Sequence, residues 1–119
     1  MVIFPIVNTI TLSALAEPNR LRIVELLRDN PCSVGEIAKR LALRQPQVSK
    51  HLRILNEVGF VGVRAKAQQR IYQLEARPFE ELESWLETFK GLWESRYRRL
   101  DSLLDELKTG KKSTKGGHQ

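Results

Sequence analysis

The sequence predicts a mainly α fold with a small β-hairpin, a winged helix-turn-helix that pairs through its terminal helices. Two short amphipathic helical patterns, Val34–Leu41 and Gln45–Val58, are separated by only a few residues. Two strand-like runs follow, residues 60–65 and 70–74, joined by the polar tip Lys66-Ala67-Gln68-Gln69. The end of the chain carries one long helical stripe of apolar side chains.

A chain of 119 residues is one domain by length. Its 41% hydrophobic and 29% charged residues are the proportions of a globular chain, which excludes wholesale disorder. No apolar run approaches the roughly 18 residues of a membrane span. Residues 1–7 are apolar but short, broken by Pro5 and without a positive flank, so they do not read as a signal peptide. The single cysteine, Cys32, excludes an internal disulfide and fits a reducing cytoplasm. With two histidines besides, little remains from which to build a transition-metal site. No cofactor is expected.

The net charge of +6 is unevenly spread. Residues 20–77 hold 12 bases and 5 acids, whereas residues 78–107 hold 4 bases and 8 acids. A basic centre beside an acidic segment points to a polyanion partner for the centre and another task for the segment.

In chain order, Asn8 or Thr9 caps a short helix to about residue 16, with Ile10, Leu12 and Leu15 apolar. Pro18 fits the first turn of a second helix, residues 19–28, whose wide apolar face of Leu21, Ile23, Val24, Leu26 and Leu27 marks a core element. Ser33-Val34-Gly35-Glu36 is a capping box that opens the third helix. Gly59 stops the fourth. Pro78 opens one last helix over residues 79–107, about 45 Å long, with apolar residues at 79, 82, 86, 89, 93, 97, 100, 104 and 107. That is close to a heptad seam with one irregular step. It is too long for so small a domain to cover, and a second copy is implied, with Leu12, Leu86, Phe89, Trp93, Tyr97 and Leu100 at the interface. Residues 1–107 then form the domain, and residues 108–119, without apolar side chains, read as a disordered basic tail.

On the fourth helix, Val48, Leu52, Leu55 and Val58 gather on one side at 100° per residue. Ser49, Lys50, Arg53 and Glu57 face the other way, with Gln45 and Gln47 in the first turn. An isolated helix of this kind would be read as merely solvated. Placed after a short helix and before a basic hairpin, it reads as a recognition helix for double-stranded DNA, because glutamine and arginine pair bidentately with purine edges. Arg64, Lys66 and Arg70 on the hairpin are either solubilising charges or phosphate contacts.

The order Ala14-Leu15-Ala16-Glu17-Pro18-Asn19-Arg20-Leu21-Arg22-Ile23, Ser33-Val34-Gly35-Glu36-Ile37-Ala38, Gln45 to Leu55, Glu57-Val58-Gly59-Phe60-Val61 and Tyr72-Gln73-Leu74 resembles ArsR-type winged-helix repressors over residues 12–75. The segment from Trp85 to Leu107 resembles the long final helix of the branch without metal motifs. The resemblance implies a homodimeric, cytoplasmic, bacterial transcription factor, usually a repressor, with its second motif helix in the major groove of a pseudo-palindromic operator.

Two departures stand out. Many relatives have serine where this chain has Arg44, which removes a side-chain cap and leaves Arg44 as either a phosphate contact or a solvated turn residue. Ala42 stands where relatives often have glycine. The cysteine positions of metal-sensing relatives fall on Ser33 and Gly35, and no histidine lies between Pro78 and Lys112, so no metal site is expected. Cys32 reads as a small buried hydrophobe, with a redox thiol the lesser reading. His51, at the border of the apolar face, is a packed or phosphate-contacting residue rather than a ligand, and no role is expected for His118. Trp85, Phe89, Trp93 and Tyr97 at helical spacing are core or interface. No phosphate loop, nucleophile elbow or acid/base pair suggests an enzyme. Rival readings are a protein-interaction module of the same fold and a small-molecule sensor walled by the aromatic final helix, whose effector the sequence does not identify.

Overall fold

The computed structural model describes residues 8–114, with side chains described to residue 108. The apolar stretch at residues 1–7 and His118 lie outside the described residues. The chain divides into two compact units, residues 1–85 and 86–119.

In the first unit, α1 (Thr9–Leu15) starts at Asn8, whose side chain accepts from the Ile10 N–H at 2.8 Å. Helix α2 (Pro18–Asp29) places Pro18 where no N–H is required, and Glu17 caps it by accepting from the Arg20 N–H at 2.8 Å. Ser33 and Glu36 open α3 (Val34–Leu41) reciprocally. The Glu36 N–H donates to Ser33 Oγ at 3.2 Å, and the Ser33 N–H to Glu36 Oε1 at 2.9 Å. Helix α4 (Gln45–Val58) ends at Gly59, whose φ of 100° explains why glycine stands there.

Ile23, Ile37, Val48, Leu52, Leu55 and Phe60 are all fully buried in one cluster. Phe60 meets Phe79 edge to face, ring centroids 5.4 Å apart. The Phe60 N–H donates to the Leu55 carbonyl at 2.8 Å, and its own carbonyl accepts from the Glu75 N–H at 2.9 Å. That residue therefore ties the end of α4 to the foot of the hairpin.

The hairpin is β2 (Val61–Lys66) against β3 (Gln69–Leu74), and a third strand, β1 (Cys32–Ser33), adds to the far side of β3. The expected hairpin is thus part of a three-stranded antiparallel sheet. Two residues are too few to carry a period-two pattern, and β1 is visible only through its pairing with Ile71 and Tyr72. The tip is also tighter than expected. Lys66 and Gln69 pair with each other, leaving Ala67 and Gln68 as a two-residue loop with φ of 56° at Ala67.

The expected single helix over residues 79–107 is interrupted. Helix α5 (Arg77–Glu87) closes with the Phe89 N–H donating to the Leu86 carbonyl, and α6 (Lys90–Thr114) begins after a turn at Thr88 and Phe89. A β-branched threonine and Gly91 within four residues weaken helix propensity at that point. Beyond it, α6 runs to Thr114, so residues 108–114, expected in a disordered tail, are helical. Once nucleated, a helix extends at little cost per residue. On α6 the ion pairs Lys90–Glu94 at 3.5 Å and Arg98–Glu94 at 3.7 Å brace successive turns. Leu92, Tyr97, Leu100, Leu103, Leu104 and Leu107 are exposed.

Between α3 and α4, Ala42 is left-handed, φ 56° and ψ 44°, a conformation that costs a residue with a Cβ about 1–2 kcal/mol. Ala42→Gly is therefore expected to stabilise the chain by about 1 kcal/mol, a rise of roughly 4–8 °C in Tm by calorimetry.

Candidate nucleic-acid interface

Helix α4 has two sides of opposite chemistry. Val48, Leu52 and Leu55 are wholly inside, while Ser49, Lys50 and Arg53 are exposed on the other flank. At its start, Arg44, Gln45 and Gln47 are exposed as well. Rotation of the helix is fixed at both ends. The Leu43 N–H donates to the Ala38 carbonyl at 3.0 Å, and Asn56 Nδ2 donates to the Val61 carbonyl at 2.9 Å. Arg22 Nη2 reaches the Leu41 carbonyl at 3.0 Å, so α2 also holds the turn from behind.

Arg44 supplies no side-chain cap, because a guanidinium has no acceptor to offer. Half of the motif survives from the other direction, since Gln47 Oε1 accepts from the Arg44 N–H at 3.2 Å. Gln47 is thus partly engaged by its own helix. Gln45 Nε2 leans toward α3, 3.7 Å from where a Cβ on Gly35 would lie.

The wing residues separate. Arg64 pairs with Ile71 and Lys66 with Gln69, so both project from one face of the hairpin, which also carries Ser33 opposite Ile71. Arg70 pairs with Ala65 and lies on the opposite face. All three are exposed. Among the described residues, none of Lys50, Arg53, Arg64, Lys66 and Arg70 takes part in an ion pair. Lys39 and Arg40, not singled out in the sequence, are also exposed in the last turn of α3. Their signal was present, as two adjacent bases just before the turn.

His51 is turned inward. Its side chain is 14% exposed, and Nδ1 lies 3.9 Å from Glu17 Oε1, too far for a hydrogen bond. Cys32 is buried, and loss of hydration, together with the nearby Glu36 carboxylate, pushes its thiol up from the ordinary 9.0. Leu12 is half-buried on α1, Trp93 half-buried on α6, and Leu86, Phe89, Tyr97 and Leu100 are exposed. Among the described residues, no group of three or more His, Cys, Asp or Glu could hold a metal ion, and no helix is long and apolar enough to cross a membrane.

An exposed basic helix face, backed by a core and flanked by a basic hairpin, is the geometry of a helix-turn-helix with a wing. Residues 17–63 match the bacterial regulatory protein, arsR family. A crystal structure of the ArsR family transcriptional regulator RHA00566 superposes with a TM-score of 0.66 at 30% identity, covering 80% of this chain and 98% of that one. The chain belongs to the arsR family. The HTH-type transcriptional regulator Rv2034 of Mycobacterium tuberculosis is 38% identical over 76 residues, 64% of this chain and 71% of that relative. The transcriptional activator HlyU of Vibrio cholerae is 42% identical over 67 residues, 56% of this chain and 62% of HlyU. The biofilm growth-associated repressor of Agrobacterium fabrum is 42% identical over 65 residues, 55% of this chain and 56% of the repressor. The arsR-family chain is thus a DNA-binding transcriptional regulator of winged helix-turn-helix fold.

The caps around the motif are expected to make the stability of this regulator depend on pH in the acid range. The Ser33 backbone N–H, then its hydroxyl, hold Glu36 below the ordinary 4.5, and the Arg20 N–H does the same for Glu17. A carboxylate depressed in the fold stabilises it above its unfolded value, and that contribution disappears as the pH falls through the folded value. Denaturant midpoints are expected to hold at neutral pH and drop as the pH is lowered past 4.5, with a smaller drop in Glu36→Gln.

Proposed function

We propose that this regulator is a cytoplasmic repressor that binds a pseudo-palindromic operator as a homodimer. The observation that carries the reading is the α4 surface, where Lys50 and Arg53 are exposed and free of acidic partners while the opposite side is locked into the core. A cation held in place but left uncompensated is matched to a polyanion.

In this reading α4 enters the major groove. Gln45, Gln47, Ser49, Lys50 and Arg53 meet base edges and nearby phosphates, with Arg44 on the backbone at the helix start. Arg64 and Lys66 hold phosphates from one face of the wing, and Arg70 approaches from the other. Repression follows from occupying the operator, in keeping with the name of the biofilm growth-associated relative. The name of HlyU gives the opposite sign of regulation, so a reporter fused to the operator found by genomic footprinting decides the sign. A loss of reporter output on expressing the protein is the expected result.

The exposed leucines of α6 supply the reason for a dimer. Leu86, Phe89, Trp93, Tyr97 and Leu100, with Leu12 on α1, are the residues proposed to be covered by the second copy. Two-fold pairing would set the recognition helices about 34 Å apart. Sedimentation at micromolar concentration is expected to give a dimer, and removal of residues 108–119 to leave it intact. A stable monomer would count against the assembly.

Reading and holding are separable by mutation. Arg53→Ala is expected to cost about 1–3 kcal/mol on the operator and to relax preference at one base position. Arg64→Ala or Lys66→Ala is expected to weaken operator and random duplex alike and to reduce the salt slope by about one unit. Fluorescence anisotropy over a salt series measures both. Equal loss on operator and random DNA in Arg53→Ala would remove its base-reading role.

A further inference from the structure

A cleft of about 360 Å³ opens among α1, α2, the end of β3 and the start of α5. Leu15, Leu21, Val24, Leu74 and Phe79 form nearly all of its wall. Glu25 and Arg28, three residues apart on α2, are its polar members. Leu21 is 41% exposed, which is how the cleft reaches solvent.

Size and charge narrow the occupant. Clefts that take small molecules measure about 300–1,000 Å³. Arg28 already has an acidic neighbour, its Nε 3.7 Å from Asp29 Oδ1. Glu25 has no cationic partner among the described residues. Glu25, Arg28 and Asp29 together leave one negative charge at the rim of the apolar wall. The wall also contains an aromatic ring, to whose π-system cations are drawn.

We propose that this cleft is a binding site for a small apolar molecule carrying one cationic nitrogen. The body lies against Leu15, Leu21 and Phe79, and the nitrogen stands beside Glu25. Occupancy is felt at α4 through one contact. Phe79 packs edge to face on Phe60, and Phe60 follows Gly59 at the end of α4 and is hydrogen-bonded to Leu55 and Glu75. A ligand pressing on Phe79 thus loads the end of the recognition helix and the foot of the wing together. Only the consequence for DNA affinity rests on the DNA-binding reading of α4.

The test needs no DNA. The full chain is titrated calorimetrically with phenylbutylamine, phenylbutanol and phenylbutyrate, which share an apolar body and differ in charge. The amine is expected to bind about tenfold tighter than the alcohol, with phenylbutyrate weakest. Glu25→Gln removes the amine's advantage and leaves the alcohol unchanged. Leu21→Trp, at an exposed position, fills the mouth and abolishes binding of all three while Tm is kept. Saturation with amine slows amide exchange over residues 55–61. Equal affinity for the three probes, or amine binding that survives Leu21→Trp, overturns the site. If Leu21→Trp instead splits a dimer in sedimentation, the cleft seats a second copy and the proposal also falls. Exchange over residues 55–61 that ignores the bound amine removes the link to α4.

Discussion

Val48, Leu52 and Leu55 recur at four and three residues and surrender all their solvent exposure to a cluster shared with Ile23, Ile37 and Phe60. Full burial of each such side chain is worth about 1.5–3 kcal/mol. Turning α4 by a single residue would bring those groups toward water and drive Ser49, Lys50 or Arg53 toward an apolar interior, where an unpaired charge is costly. The orientation of the polar face is therefore set from the inside. Hydrogen bonds at Leu43 and Asn56 then fix the helix ends, but they refine an angle that packing has already chosen.

How far the fold was legible follows from the same logic. The bounds of α3 and α4 were readable because their signals are local: a serine–glutamate cap, a 3.6-residue apolar period and a terminal glycine. Strand β1 was not, since its two residues become a strand only through a partner some forty positions away. The interruption at Thr88 and Phe89 was hidden by an apolar stripe that continues in step across it. Periodicity records which side chains want burial, not whether each backbone hydrogen bond is made. At the interface, exposure of the expected residues was legible from the wheel of α4. The two-sided arrangement of Arg64 and Arg70 depended on the register of the hairpin, which a tip without glycine or asparagine left open.

The turn of the motif shows what the departures from related sequences do physically. Ala42 takes the left-handed conformation that glycine would take without strain; its N–H donates to the Ala38 and Lys39 carbonyls, and Arg22 donates to the Leu41 carbonyl beside it. Arg44 leaves the start of α4 without a side-chain acceptor, and Gln47 turns back to satisfy the backbone from within the helix. Ser33 spends its hydroxyl on the cap of α3, so this position serves folding. The motif keeps its geometry with different residues carrying it.

Cys32 has a further consequence for how the molecule can be studied. It is the single cysteine of the chain, buried beside β3, and burial pushes its thiol up, away from the thiolate that attacks electrophiles. A cysteine introduced on the wing tip or the exposed stripe of α6 would then be modified alone, with the native residue left in place. Paired spin labels or fluorophores attached in this way would report separations across an assembly in solution, without first stripping the core of a side chain it packs around.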